Sequence, residues 1–101
     1  MNPSVSVIIA VKNGQQTIRA CVDSVLRLEY PAYEVMVVDD GSDDQTASLV
    51  RAYEGRLICL TNAESKGPSA ARNRAVAQSR SELIAFTDGD CIVEKDWLDQ
   101  L

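Results

Sequence analysis

The chain has 101 residues, of which 46% are hydrophobic and 25% are charged, a composition typical of one globular domain. Its net charge of −5 argues against nucleic acid or anionic lipid as the main partner. Histidine is absent, which excludes His-based triads and His metal sites, and no apolar run is long enough to span a membrane.

The cysteines and the first residues bear on the cellular compartment. Cys21, Cys59 and Cys91 lie in apolar patterns without metal-like spacing, so we expect buried, reduced thiols in a cytoplasmic protein. Met1–Ser4 lacks the basic and apolar regions of a signal peptide.

The first part of the chain predicts a strand, a helix and a second strand. Residues 4–11 are rich in β-branched side chains and almost continuously apolar, as in a central parallel strand covered on both faces. From about residue 15 to residue 28, apolar side chains recur every three or four positions and predict an amphipathic helix. Tyr30-Pro31 ends that helix, and residues 34–39 predict the second strand.

The middle of the chain predicts two further helices around a short strand. Ser42 and Gln45 have the spacing of a capping box, which would start a helix that closes at Gly55. Residues 57–60 predict the third strand, and Pro68 fits the first turn of an alanine-rich helix.

The last part of the chain predicts a fourth strand over residues 83–87 and a final helix over residues 94–101. The apolar side of this helix would invite self-association. It consists of Trp97, Leu98 and Leu101. The alternation of strands and helices predicts an α/β fold, an open and mostly parallel sheet with helices on both faces.

Polar residues follow three of the four predicted strands. Lys12-Asn13 ends the first, Asp39-Asp40 ends the second, and Asp88-Gly89-Asp90 follows the fourth. Because ligands of open α/β sheets bind outside the carboxyl ends of the strands, we expect these clusters to meet in one ligand site. Solvated turns built from Asp and Gly are the simpler alternative.

The residue types at this edge suit a nucleoside diphosphate bound through a metal ion. A carboxylate after the second strand can accept hydrogen bonds from a base N–H or a ribose hydroxyl, and Asp90 can hold Mg²⁺ or Mn²⁺ between two phosphates. Gly89 would let a ligand approach the backbone and would permit a positive φ. Arg72 can meet phosphate. Gly-x-Gly-x-x-Gly and Walker-type loops are absent, which disfavours dinucleotide and P-loop sites.

Four ordered blocks closely resemble the family 2 glycosyltransferases with the GT-A fold. The resemblance implies that residues 1–101 are the N-terminal, Rossmann-like, nucleotide-sugar-binding part of a glycosyltransferase domain. They would be either a fragment truncated at its C-terminus or a standalone nucleotide-binding half. The blocks are Val5-Ser6-Val7-Ile8-Ile9, Val37-Val38-Asp39-Asp40-Gly41-Ser42, Gly67-Pro68-Ser69-Ala70-Ala71-Arg72-Asn73 and Thr87-Asp88-Gly89-Asp90, and Asp96-Trp97-Leu98 also fits.

The resemblance also implies an activity and a set of roles. Members transfer a sugar with inversion from a nucleotide-sugar, usually a UDP-sugar, and the acceptor here is an unknown sugar, lipid or protein. Asp40, more than Asp39, would hydrogen-bond the base, and Asp90 with Asp88 would ligate Mn²⁺ or Mg²⁺. Asp88 would also contact the ribose or the sugar, and Arg72 would lie near the pyrophosphate or the sugar. The nucleotide base would be bordered by Ala10, Lys12 and Asn13.

Two departures from the family pattern limit these implications. Many relatives carry Pro-Thr-Tyr-Asn where this chain has Ala10-Val11-Lys12-Asn13, so the stacking tyrosine is missing and the uridine preference is weakened. The general base is expected beyond Leu101, so residues 1–101 should bind donor without efficient turnover. We expect a cytoplasmic enzyme. Parts of the domain beyond these residues would determine whether it also reaches the inner face of the membrane.

Two alternatives use the same aspartates. In a Mg²⁺-dependent phosphotransferase-like site, Asp88 would be the nucleophile and Asp90 the acid/base, but such a pair normally ends the first strand. A non-enzymatic receiver-like signalling domain would use Asp39-Asp40, but it needs its acidic pair after the first strand and a lysine after a late strand.

Overall fold

A four-stranded sheet forms the centre of the molecule, which a computed structural model describes over residues 2–101. The strands are β1 (Val5–Val11), β2 (Tyr33–Asp40), β3 (Ile58–Asn62) and β4 (Leu83–Asp88), and the helices are α1 (Ile18–Leu26), α2 (Thr46–Arg51) and α3 (Pro68–Gln78). The order across the sheet is β3-β2-β1-β4, and every neighbouring pair is parallel. This arrangement confirms the predicted α/β fold.

Helices cover both faces of the sheet, which is why the two inner strands are apolar on both sides. Odd-numbered residues of β1 and β2, such as Ile9 and Val37, pack against α1 and α2 in the larger core. Even-numbered residues pack under α3, whose alanines let the helix approach the sheet closely. This second core consists of Ile8, Met36, Val38, Leu60, Ala71 and Ala75.

The predicted capping box at the start of α2 is wrong. The helix begins at Thr46, and the Ser42 hydroxyl instead accepts a hydrogen bond from the Asn13 N–H at 2.8 Å. The Asp44 carboxylate accepts the Thr46 N–H at 2.9 Å and so serves the first turn. Similarly, α1 begins at Ile18 rather than near residue 15, because residues 15–17 form a turn.

The predicted last helix is only a four-residue 3₁₀ helix, Trp97–Gln100. Leu98 is 7% exposed and belongs to the larger core, and Trp97 packs against that core. Of these three residues, Leu101 is the most exposed, at 76%. The predicted exposure is therefore wrong for Leu98 and only partial for Trp97, and self-association through this face stays a prediction.

Two hydrogen bonds explain why this segment turns inward. The Val93 N–H donates to Ser24 Oγ at 3.1 Å, and the Glu29 N–H donates to the Lys95 carbonyl at 2.8 Å. Both bonds join the last residues to α1 or to the loop that follows it, so the apolar side of the segment faces the core.

The three thiols differ in exposure, and all are free. Cys21 is buried, Cys59 is half-buried and Cys91 is exposed, so the expectation of buried thiols is wrong for Cys91, which lies in the loop after β4. No helix within residues 2–101 is long and apolar enough to cross a membrane.

Candidate functional site

The carboxyl ends of β1, β2 and β4 meet at one edge of the sheet, here called the carboxyl rim. In the parallel register Ala10 of β1 lies beside both Val38 and Asp88, and Val11 lies beside Asp39. The loops after these strands therefore leave on the same side. The predicted clusters of polar residues therefore lie at one edge of the sheet, and a shared ligand site stays a prediction.

Asp40 is the most strongly held side chain at the carboxyl rim. It is 4% exposed, and each carboxylate oxygen accepts two hydrogen bonds. Oδ1 accepts from Asn62 Nδ2 (2.8 Å) and the Lys66 N–H (2.9 Å), and Oδ2 accepts from Ser65 Oγ (3.0 Å) and the Gly67 N–H (3.0 Å). Burial raises the pKa of Asp40, but these donors outweigh it and lower the pKa to about 2.

These four bonds limit what Asp40 can offer a ligand. A carboxylate has about four acceptor positions, and all of them are filled by the chain itself. A ligand N–H would have to replace one donor. Ser65 is the replaceable one, because its hydroxyl belongs to an exposed residue and rotates freely, whereas the two backbone donors are fixed.

Asp39 lies on the opposite face of β2, because successive strand residues alternate. It follows Val35 and Val37, which belong to the core under α1 and α2, whereas Asp40 follows the residues under α3. Asp39 is 2% exposed, and its Oδ1 has no hydrogen-bond partner in the described part of the chain. The structure does not bring its carboxylate together with that of Asp40, and a role in ligand binding stays a prediction.

The loop after β1 is joined to the loop after β2 by several hydrogen bonds. Asn13, at a φ of 54°, accepts the Asp43 N–H at 2.8 Å through its side-chain oxygen. The Gly14 N–H donates to Thr46 Oγ1 at 2.8 Å, and the Gln15 N–H donates to Asp44 at 3.2 Å. These bonds fix the course of the loop that begins with Lys12-Asn13.

Asp88 forms an ion pair with Arg72. The distance from Arg72 Nη2 to Asp88 Oδ1 is 3.2 Å, and the guanidinium also lies 5.9 Å from the centre of the Phe86 ring. The two charged side chains are 37% and 63% exposed, so water screens the pair and it contributes little to stability. The structure thus brings these two predicted residues together.

The loop after β4 presents a group that fits a divalent cation. One ligand atom from each of Asp88, Asp90 and Cys91 lies within 4.8 Å of the others, and all three residues are exposed. The two carboxylates are the hard oxygen ligands that Mg²⁺ and Mn²⁺ prefer, whereas the thiol is a softer ligand, so only the carboxylates of this group suit the predicted metal. Cys91 was not singled out in the sequence because it continues the apolar run after Asp90.

The positive φ expected at Gly89 is wrong, whereas the approach of a ligand to its backbone stays a prediction. Gly89 is not among the glycines with a positive φ, and a Cβ there would lie 2.7 Å from Val11 Cγ2. The missing side chain makes room for the core residue Val11. A Cβ on Gly14 would meet the same methyl group at 2.7 Å.

Two adjoining cavities open at the carboxyl rim and share Ala10, Val11 and Lys12. The first, of about 220 Å³, is here called the Asp40 cavity, and the second, of about 250 Å³, the Asp90 cavity. The Asp40 cavity is completed by Asp40, Ser65, Gly67 and Pro68, and the Asp90 cavity by Asn13, Gly14, Thr17, Gly89 and Asp90. A larger cavity of about 310 Å³ lies at the amino ends of β1 and β4, away from these groups.

The end of β3 and the loop after it contribute residues to which the sequence analysis gave no role at the site. Asn62, Ser65 and Gly67 all bond to Asp40. Gly41 supports this contact, because its φ is 72° and a Cβ there would lie 2.6 Å from the Ser65 nitrogen. A glycine directly after Asp39-Asp40 was the available signal that another backbone passes close by.

Comparison with known proteins places these features in a family. The family model described as Glycosyl transferase family 2 matches residues 6–101. Glycosyltransferase AglE of Haloferax volcanii is 41% identical over 97% of this chain, which spans 34% of AglE.

Two solved structures are also similar. S. aureus TarS 1–349 in complex with UDP has a TM-score of 0.88 and 31% identity, and the match covers 96% of this chain and 30% of that one. The mannosyltransferase PcManGT from Pyrobaculum calidifontis, in complex with GDP-Man and Mn²⁺, has a TM-score of 0.82 and 31% identity, with 89% and 28% covered. The chain therefore spans about a third of the length of these relatives.

Proposed function

Because the chain belongs to glycosyl transferase family 2, we propose that it is the donor-binding part of an inverting glycosyltransferase and that its donor is a UDP-sugar. The observation that carries this proposal is the pair of adjoining cavities, with Asp40 beside one and Asp90 beside the other. A nucleotide-sugar has a base at one end and a charged diphosphate in its middle, so one ligand would fill both. The UDP complex of TarS supports the choice of nucleotide.

The base would occupy the Asp40 cavity, bordered by Ala10, Lys12 and, at its margin, Asn13. Its N–H group would donate to Asp40 Oδ2 in place of Ser65, because the other three donors are held by the backbone or by a buried amide. The chain carries no tyrosine at residues 10–13 for the base to stack on, so the hydrogen bond matters more for specificity.

The diphosphate would lie over the Asp90 cavity. Asp90 and Asp88 would hold Mn²⁺ or Mg²⁺, which as a Lewis acid stabilises the negative charge that develops on the departing diphosphate. The guanidinium of Arg72 would approach the same anion, and its present pairing with Asp88 keeps it near that position. Asp88 would then be shared between the cation, Arg72 and the ribose or sugar. The Mn²⁺ complex of PcManGT supports a divalent ion.

The rest of the reaction is proposed for the full enzyme. Inverting transfer needs a general base that removes the acceptor proton, and we place that base beyond Leu101. The acceptor would be a sugar, lipid or protein hydroxyl. Free Cys21, Cys59 and Cys91 support a reducing, cytoplasmic compartment.

Titration of the 101-residue chain with nucleotide tests the proposal. We expect UDP to bind in the presence of Mn²⁺ with a Kd on the order of 0.1–1 mM. Chelation with EDTA should weaken this binding, and Asp90→Asn should remove the difference between Mn²⁺ and EDTA. Nuclear magnetic resonance titration suits affinities in this range.

A matched control is Asp99→Asn, which removes one exposed carboxylate of the 3₁₀ helix. It should leave both the affinity and the metal dependence unchanged. Equal UDP affinity with Mn²⁺ and with EDTA in the wild-type chain would count against the metal assignment. Failure of UDP, GDP and other nucleoside diphosphates to bind at all would overturn the proposed function.

A further inference from the structure

Arg74, on α3, forms a fork of hydrogen bonds at the end of β3. Its Nη1 donates to the Thr61 carbonyl at 2.6 Å and to the side-chain oxygen of Asn62 at 2.8 Å. Asn62 is only 7% exposed, so its side-chain amide depends on partners within the protein.

The arginine decides which way the Asn62 amide faces. A guanidinium offers only donors, so it requires the amide oxygen on its side. The amide nitrogen must then face the other way, where it donates to Asp40 Oδ1 at 2.8 Å. If the amide turned over, two oxygens would face each other and one of them would be charged, which is unfavourable.

Asp40 links the orientation of Asn62 to the residues that line the Asp40 cavity. The same carboxylate accepts from Ser65 and from the backbone of Lys66 and Gly67. Ser65 and Gly67 line the Asp40 cavity, whereas neither Arg74 nor Asn62 does so. The hydrogen-bonded path therefore runs from α3, through Asn62 at the end of β3, to the base end of the proposed donor site.

We propose that Arg74, acting through Asn62, is a positioning residue that orients Asp40 and the loop of residues 65–67 for recognition of the nucleobase. This inference rests on the proposed function, because it assigns the Asp40 cavity to the base. Arg74 itself touches no ligand. Its effect is confined to the base end, since the proposed metal residues lie at the end of β4 and in the loop after it.

Two probes separate the base end from the phosphate end. UDP with Mg²⁺ would use both cavities, whereas inorganic pyrophosphate with Mg²⁺ would use only the Asp90 cavity. Arg74→Met removes every donor while keeping the aliphatic stem, and it should weaken UDP binding about tenfold, the effect of losing one hydrogen bond to a charged group. Pyrophosphate binding should change less than about twofold, because no phosphate contact is lost.

Two further variants sharpen the test. Arg74→Lys keeps a donor that can reach the Asn62 oxygen, so it should restore part of the UDP affinity, and it serves as the test if Arg74→Met does not fold. Arg80→Met removes a similar charge from an exposed residue just after α3, and it should bind both probes like the wild-type chain.

The possible results are distinct. Loss of UDP affinity with pyrophosphate binding retained supports the inference. Unchanged UDP affinity in Arg74→Met, or an equal loss for both probes, overturns it. A wild-type chain that binds pyrophosphate but no nucleotide would instead overturn the proposed function, and the positioning role with it.

Discussion

Asp40→Asn is expected to destabilise the fold even without a ligand, because the carboxylate is an internal acceptor. An asparagine of the same shape accepts hydrogen bonds at one atom only. If its oxygen keeps Asn62 and Lys66 as donors, its new NH₂ group faces Ser65 and Gly67. The hydroxyl can rotate and accept from that group, but the backbone N–H cannot.

The expected loss can be assembled from these contacts. One partly buried N–H left without an acceptor costs about 1–2 kcal/mol. Each of the two remaining bonds loses its charge assistance, which costs about 1 kcal/mol. The free energy of unfolding should therefore fall by about 3–4 kcal/mol, a large part of the about 5–15 kcal/mol typical of a domain.

Asp39→Asn is the matched control. It is the same isosteric change in the next residue, which is equally buried, but Asp39 Oδ1 has no partner to lose within residues 2–101. We expect a change within about 1 kcal/mol, because no hydrogen bond to this oxygen is lost. Urea unfolding followed by the fluorescence of Trp97, the single tryptophan, measures both variants. Equal losses for the two variants would refute the reasoning from hydrogen bonds.

Three further predictions concern the same region. Gly89→Ala should cost about 1–3 kcal/mol of stability by overpacking, and adding Val11→Ala should recover part of that loss in a double-mutant cycle; additive losses would contradict the contact. Iodoacetamide should modify exposed Cys91 before Cys21, because burial raises the pKa of Cys21 to about 11. Mass spectrometry of the folded chain measures the order of modification, and the opposite order would contradict the prediction. Since the pKa of Asp40 falls from 3.8 to about 2 on folding, its stabilising contribution is complete above pH 3.8 and is lost as the pH falls toward 2. Asp40→Asn should therefore make the free energy of unfolding depend less on pH in this range. An unchanged pH dependence in the variant would speak against the lowered pKa.

The architecture was predictable because each strand carries its own signal. The runs around Ile8 and Val37 are apolar on successive residues, which only a strand covered on both faces requires. The alanines of α3 likewise predicted a helix that packs close to the sheet. The order β3-β2-β1-β4 was not specified by these patterns, since it depends on which neighbours each strand finds across the connections.

The predictions that were wrong concern residues whose role depends on a partner far away in the chain. Ser42 has the spacing of a helix cap, yet its hydroxyl is used by the loop after β1. Gly89 lacks a side chain because Val11 fills the space. Leu98 fits a solvent-exposed helical stripe by periodicity, but the bonds of the final segment to the region of α1 turn it into the core.

The adjacent residues Asp39 and Asp40 show how much of the candidate site can be predicted from the local sequence pattern. Alternation along β2 requires that one of them face α1 and α2 and the other α3. Sequence cannot say which of the two will be neutralised by donors, because those donors come from Asn62 and residues 65–67 on another strand and loop. The side with the donors is also the side with the cavity, because the loop that supplies the hydrogen bonds is the loop that forms the wall. If Asp40 binds the base as proposed, the loop is already ordered by folding, and the ligand would compete with Ser65 rather than order the loop.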